Sequence, residues 1–218
     1  MTQPTRPDDP PAPPPASEPG AAEFATRDPG DAAFWNERFE RGVTPWEFAG
    51  VPDAFRAFVA HHPRCAVLIP GCGSAYEAAA LAQAGWPVRA IDFAAQAVAA
   101  AKAQLGAQHG SVVEQADFFA YEPPFAVQWV YERAFLCALP PARRADYAAR
   151  MAALLPPGGL LAGFFYVGAT PKGPPFGIDR AELDALLAPH FELIDELPVA
   201  DSLPVFGGRE RWLTWRRR

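Results

Sequence analysis

Lysine, methionine, cysteine and histidine are all scarce in this 218-residue chain, at two, two, three and four copies. The histidines are not clustered as a zinc site needs, so no metal is expected. Cys65, Cys72 and Cys137 are an odd number without metal-type spacing, which fits a reducing cytoplasm. Acidic residues outnumber basic ones 25 to 19, and the net charge of −6 argues against a nucleic-acid partner. No apolar run approaches the roughly 18 residues of a membrane span. The opening MTQPTRPDDPPAPPPASEPG lacks the charged-then-apolar layout of a secretory leader, so a cytoplasmic location is expected. The strong excess of arginine over lysine, with abundant alanine, reads as base bias of the gene.

Proline, by contrast, is plentiful, and nine of the 26 prolines fall within residues 1–30. That stretch carries half of the excess negative charge and almost no large apolar side chain before Phe24. Such a segment cannot bury enough surface to offset its ordering entropy, so residues 1–30 are expected to be a disordered tail. PPAPPP could serve as a docking ligand, but no flanking specificity signal accompanies it.

Half of all residues are hydrophobic, enough for one sizeable core over 31–218. DAAFWNERFERG has an Asp31 N-cap, helical spacing of its aromatics and a stop at Gly42. An aromatic-rich loop follows, then a short helix over 53–61 closed by Pro63. Strands are then predicted at 65–70, 87–92, 111–117, 126–132, 159–168, 191–198 and 209–217, with helices at 74–85, 94–108, 141–155 and 179–189. Nearly all-apolar strands alternating with helices predict an α/β fold, a doubly wound, mostly parallel sheet covered on both faces. The last two strands lack an intervening helix and are expected to form an antiparallel edge pair.

The most informative stretch is VLIPGCGSAYE (67–77), which ends the first strand and opens a helix. Gly71 and Gly73 allow a tight turn and close approach of a ligand to the backbone. Asp92 closes the second strand, where a carboxylate can accept from both hydroxyls of a ribose. Asp117 closes the third, where it can meet an adenine amino group, with Phe118 or Phe119 against the ring. The alternative is that both aspartates merely cap the helices that follow. A dinucleotide fingerprint would place glycine where Tyr76 stands, and a phosphate loop would need Gly-Lys-Ser/Thr, which is absent. No cation lies near the turn to neutralise a pyrophosphate. The pattern suits an adenosine ligand without phosphates, of which S-adenosyl-L-methionine is the common one.

FWNERFERGVTPWEF, VLIPGCGSAYEAAALA, ADFF, YERAFLCALPPARRADYAARMAALLPPGG and GGRERWLTWRR together resemble the thiopurine S-methyltransferase-like family, which includes thiol and halide methyltransferases. The resemblance runs from about Phe34 to the C-terminus. It implies the class I S-adenosylmethionine-dependent fold, with seven strands in the order 3-2-1-4-5-7-6 and an N-terminal helical lid over residues 31–62. It also implies that Trp35 and Trp46 cover the cofactor, that the Gly71-Cys72-Gly73 turn, Asp92, Asp117 and Phe118 hold it, and that Arg133 lies near its reacting end. The family often has Asp where Glu77 and Glu132 stand, Gly where Ala75 stands, and a basic residue before the Gly-Arg-Glu element where Phe206-Gly207-Gly208 stands. A less polar substrate mouth is one consequence.

The resulting expectation is a methyltransferase acting on a small soft nucleophile, most simply a thiol, with Trp46, Arg133 and Arg209 acting at the reacting centre. A thiol needs no strong general base because its pKa lies near 8.5, and nearby positive charge from Arg133 and Arg209 would favour the thiolate. Either arginine can instead serve only as an ion-pair partner. Oxygen, nitrogen, halide and metalloid acceptors remain open, as does a non-catalytic S-adenosylmethionine-binding module. Phe39 and Phe48 are expected to be core, as are the Cys72 and Cys137 thiols. The expected partner is a small-molecule acceptor, with neither nucleic acid nor membrane, and a monomer is favoured.

Overall fold

A computed structural model describes residues 24–170 and 172–218. Its strands β1 (Val67–Pro70), β2 (Val88–Asp92), β3 (Val113–Gln115), β4 (Trp129–Arg133), β5 (Leu160–Tyr166), β6 (Phe191–Pro198) and β7 (Glu210–Arg217) form one sheet. The order is β3-β2-β1-β4-β5-β7-β6, with β1 to β5 parallel and β7 antiparallel to both neighbours. The helices are α1 (Ala32–Glu40), α2 (Asp53–His61), α3 (Tyr76–Gln83), α4 (Ala95–His109), α5 (Arg144–Leu154) and α6 (Arg180–Leu187). None of them is long and apolar enough to cross a membrane.

Strand alternation divides the core between the two faces of the sheet. In β1, Val67 and Ile69 join Phe55 and Phe58 of α2 and the small alanines of α3 and α4. Leu68, between them, joins Tyr147 and Met151 of α5 and Leu183 and Leu187 of α6. Because all four β1 residues are buried, the strand carries no polar face at all. β1 pairs with β2 on one side and β4 on the other. The strand order reverses there, and a ligand crevice opens beyond the strand C-termini at that point.

The expected antiparallel pair ends the sheet in the expected order, with β6 at the edge and β7, whose Trp212, Leu213 and Trp215 are buried, next to it. Other sequence expectations are corrected. β3 ends at Gln115, so Asp117 does not close it. Instead Asp117 Oδ1 accepts from Phe119 N at 2.9 Å, folding the chain into a local turn. The first turn of the helix expected from 141 is a 3-10 turn, Pro141–Arg143. The expected lid over 31–62 also divides. α1 and the loop after it face the crevice, whereas α2 drives Phe55 and Phe58 into the core against Trp129.

The tail boundary moves as well. Residues 1–23 lie outside the described residues, but 24–30 are fastened to α1 rather than free. Glu37 accepts from Ala25 N, Thr26 N and Thr26 Oγ1, and the Trp35 indole donates to Pro29 O at 2.8 Å. Arg38 stacks over Phe34 and Phe24, so Phe24 supplies the apolar anchor.

Candidate active site

The C-terminal ends of β1, β2 and β4, the turn after β3, and the α1–α2 segment enclose a cavity of about 870 Å³. That lies in the range of sites that hold a molecule the size of a nucleoside derivative. Gly71, Cys72, Gly73, Asp92, Asp117, Phe118, Arg133, Trp35 and Trp46 all reach it.

The turn after β1 is its floor. Gly71 and Gly73 have φ of +58° and +51°, and a side chain on Gly71 would meet the Phe135 ring at 2.5 Å. Ala75 follows at φ +57°, a left-handed conformation that costs an alanine roughly 1 kcal/mol. The glycine usual in the family would avoid that strain. Cys72 Sγ sits 3.8 Å from the Gly73 carbonyl. Burial, with the Asp92 carboxylate nearby, pushes its thiol well above the usual range and keeps it protonated.

Asp92 ends β2 and is only 8 % exposed. It accepts from Gly73 N at 3.2 Å and Ala94 N at 2.9 Å, so it both braces the glycine turn and folds the chain into a local turn before α4, which it does not cap. Burial outweighs those bonds and raises its pKa to about 6. A desolvated carboxylate with lone pairs to spare at a cavity wall fits a pair of ribose hydroxyls. Asp117 is exposed at the cavity edge and makes a local turn; no helix follows it, so the alternative that it caps one does not hold. Phe118 is 4 % exposed and packs against Phe119, Phe135 and Tyr147, which makes it a core side chain with one edge on the cavity.

Arg133 is the last residue of β4, not a residue after it. Its guanidinium lies 3.4 Å from Glu77 Oε1 on α3, which also accepts from Tyr131 OH at 3.1 Å. The rings of Phe48 and Phe164 lie 5.2 and 4.9 Å from it. Phe48 and Phe39, expected as core, are therefore half-buried cavity wall. Trp35 and Trp46 meet edge to face at 5.3 Å above the floor.

Arg209 is a correction. It is exposed, does not reach the cavity, and donates to Ala169 O while stacking over Tyr166. β7 runs antiparallel to β5 with Glu210 opposite Tyr166, so Arg209 stands at the crevice end of the sheet, but its side chain turns onto Tyr166 and not into the cavity.

Two residues escaped the sequence reading. Glu132 is 1 % exposed and accepts from Phe135 N, Leu136 N and Tyr147 OH, holding the loop after β4. Glu47, in TPWEF, accepts from Ser74 N at 2.7 Å and so ties the α1–α2 loop to the glycine turn. A carboxylate beside Trp46 in a proline-containing loop was the available signal, but its partner lies 27 positions away.

The sheet order and the crevice at its reversal define a class I methyltransferase fold. Solved structures agree. A 1,6-didemethyltoxoflavin N1-methyltransferase from Burkholderia thailandensis, with bound S-adenosylhomocysteine, superposes with a TM-score of 0.69 at 21 % identity over 89 % of this chain and 92 % of that one. Residues 30–217 match the model of the thiopurine S-methyltransferase family. Similar proteins include a probable thiol methyltransferase of Arabidopsis thaliana, 29 % identical over 84 % of either chain. A thiopurine S-methyltransferase of Vibrio cholerae is 36 % identical over 72 % of this chain and 80 % of its own. The chain belongs to the thiopurine S-methyltransferase family and is an S-adenosylmethionine-dependent methyltransferase.

Proposed function

We propose that the chain methylates a small thiol, held in the part of the cavity beyond Arg133. The observation that carries this reading is the wall formed there by Cys137, Leu139, Pro140, Val205 and Phe206. Among these five the ionisable group is the Cys137 thiol, which burial keeps protonated, and Arg143, which also lines the cavity, is a cation and no base. An acceptor that needed deprotonation by a strong base would find none on that wall. A thiol, already partly ionised near neutral pH, needs none.

The remaining roles follow from position. Asp92 accepts from the ribose hydroxyls, the turn Gly71-Cys72-Gly73 lets the nucleoside lie against backbone, and Asp117 with Phe118 borders the base. S-adenosylmethionine supplies a methyl group on a sulfonium whose leaving group departs neutral. Arg133, locked by Glu77, keeps a fixed positive charge beside the acceptor and favours its anionic form. Trp35 and Trp46 close the cavity from above, and their faces exclude water from the reacting atoms. The lid is α1 with the loop after it, and the partner is the small-molecule acceptor alone.

The test is release of S-adenosylhomocysteine with a panel of aromatic and aliphatic thiols between pH 6 and 9. The rate is expected to rise with pH and level near each thiol's own pKa. Turnover of amines or halides but of no thiol would overturn the reading.

A further inference from the structure

We infer that Glu47 is a cofactor-binding residue: its carboxylate receives the α-ammonium of the cofactor's methionine tail and thereby couples tail binding to the position of the α1–α2 loop. The inference rests on the placement of the nucleoside at Asp92 and Asp117, and it follows from the order of the strands. Base and ribose lie over β3 and β2, so the tail must run across the turn after β1 to reach Arg133 on β4. Glu47 stands at that crossing. Its Oε1 is bonded to Ser74 N at 2.7 Å and lies 3.0 Å from where a side chain on Gly73 would begin.

Charge complementarity selects the group it would meet. An amino-acid tail carries one cation and one anion, and the crossing offers one basic and several acidic side chains. The carboxylates there are not equivalent. Glu77 is already paired with Arg133 and Tyr131. Asp92 is engaged by two backbone N–H groups and is placed for the ribose. Glu47 has a single neutral donor, Ser74 N, and no ion pair joins it to any described residue. A carboxylate offers about four acceptor sites, so Oε1 can keep the turn while Oε2 takes the ammonium. Since the bond to Ser74 fastens the loop carrying Trp46 and Phe48, a tail seated on Glu47 also holds the aromatic cover in place.

The experiment is calorimetry with three ligands: S-adenosylhomocysteine, its analogue lacking the amino group, and 5′-methylthioadenosine, which lacks the tail. The native protein is expected to bind S-adenosylhomocysteine at least tenfold more tightly than the deamino analogue, as a charged hydrogen bond warrants. Glu47→Gln should weaken S-adenosylhomocysteine about tenfold, bring it within threefold of the deamino analogue, and leave 5′-methylthioadenosine within twofold. Retained methylthioadenosine binding also shows the variant to be folded. Glu47→Gln weakening all three ligands equally would make it a loop fastener only and overturn the proposal, as would no effect on any. Asp92→Asn tests the underlying placement and should weaken all three ligands. Should it weaken none, the nucleoside lies elsewhere and the proposal falls with that reading. Should it weaken all while Glu47→Gln fails to discriminate, the proposal alone falls.

Discussion

Arg133 of β4 and Glu77 of α3, 56 positions apart, meet at 3.4 Å with side chains only 12 % and 11 % exposed. The pair joins the end of the switch-point strand to the helix that begins at the glycine turn. It therefore fixes the cavity floor as well as one of its charges.

Removing one partner of such a pair leaves the other charge without compensation, at a cost of about 3 kcal/mol. Burial pushes the Glu77 carboxyl above its ordinary value, so once stranded it takes up a proton readily in acid. Arg133→Met should accordingly lose about 3 kcal/mol of stability at pH 8 and clearly less at pH 5.5, measured by urea unfolding. Adding Glu77→Gln should restore part of the loss at pH 8. An equal loss at both pH values would show that the pair is not its origin.

Asp92 makes cofactor affinity depend on pH. With its pKa raised to about 6, chiefly by burial, it is neutral in mild acid and then accepts hydroxyl donors poorly. Affinity for S-adenosylhomocysteine should fall roughly tenfold per pH unit below about 6 and be flat above about 7. Asp92→Asn should bind at least tenfold more weakly at pH 7.5 and lose the dependence. Calorimetry across pH 5 to 8 decides the matter, and a native affinity constant over that span would sink the prediction.

Glu132 acts on stability instead. Burial, outweighing its three hydrogen bonds, raises its pKa from 4.5 to about 7. The folded state therefore binds more protons than the unfolded one between those values. The contribution is full below about 4.5 and is lost as pH rises through about 7, a difference of roughly 3 kcal/mol. Glu132→Gln should flatten that part of the stability curve. Thermal unfolding of both proteins between pH 4.5 and 8 gives the comparison, and parallel curves would refute the assignment.

The strap at 24–30 depends on Glu37, whose three donors lower its pKa to about 2, the Thr26 hydroxyl contributing most. The strap should hold down to strongly acidic pH. In Glu37→Ala the amides of Ala25 and Thr26 should exchange with solvent much faster, while the strands keep their protection. Hydrogen exchange resolved by residue tests this, and unchanged protection at Ala25 would mean the bonds do not fasten the strap.

Much of the architecture was legible because its causes are local. α2 runs from Asp53 to His61 as its pattern predicts, and the Asp31 cap at α1 accepts from Ala33 N as expected of an N-cap. The Gly71-Cys72-Gly73 turn and Asp92 were legible for the same reason: each sits where a strand must end. β3 was overextended because the valines at 112 and 113 look alike in sequence, yet Val112 closes a 3-10 turn. Arg209 does stand at the crevice end of β7, but nothing near it in sequence tells that its side chain turns onto Tyr166 and Ala169 O instead of into the cavity.

Apolar period, capping residues and left-handed glycines are properties of a few consecutive residues, and the chain alone determined them: alternating strands and helices, a glycine turn, a carboxylate at the end of β2. The tertiary structure alone decided which distant side chains converge, because such contacts depend on strand order and on the path of the connecting loops. Glu47 on Ser74, Arg133 on Glu77, Glu132 under the loop after β4, and Phe24 fastened to α1 all belong to this second kind.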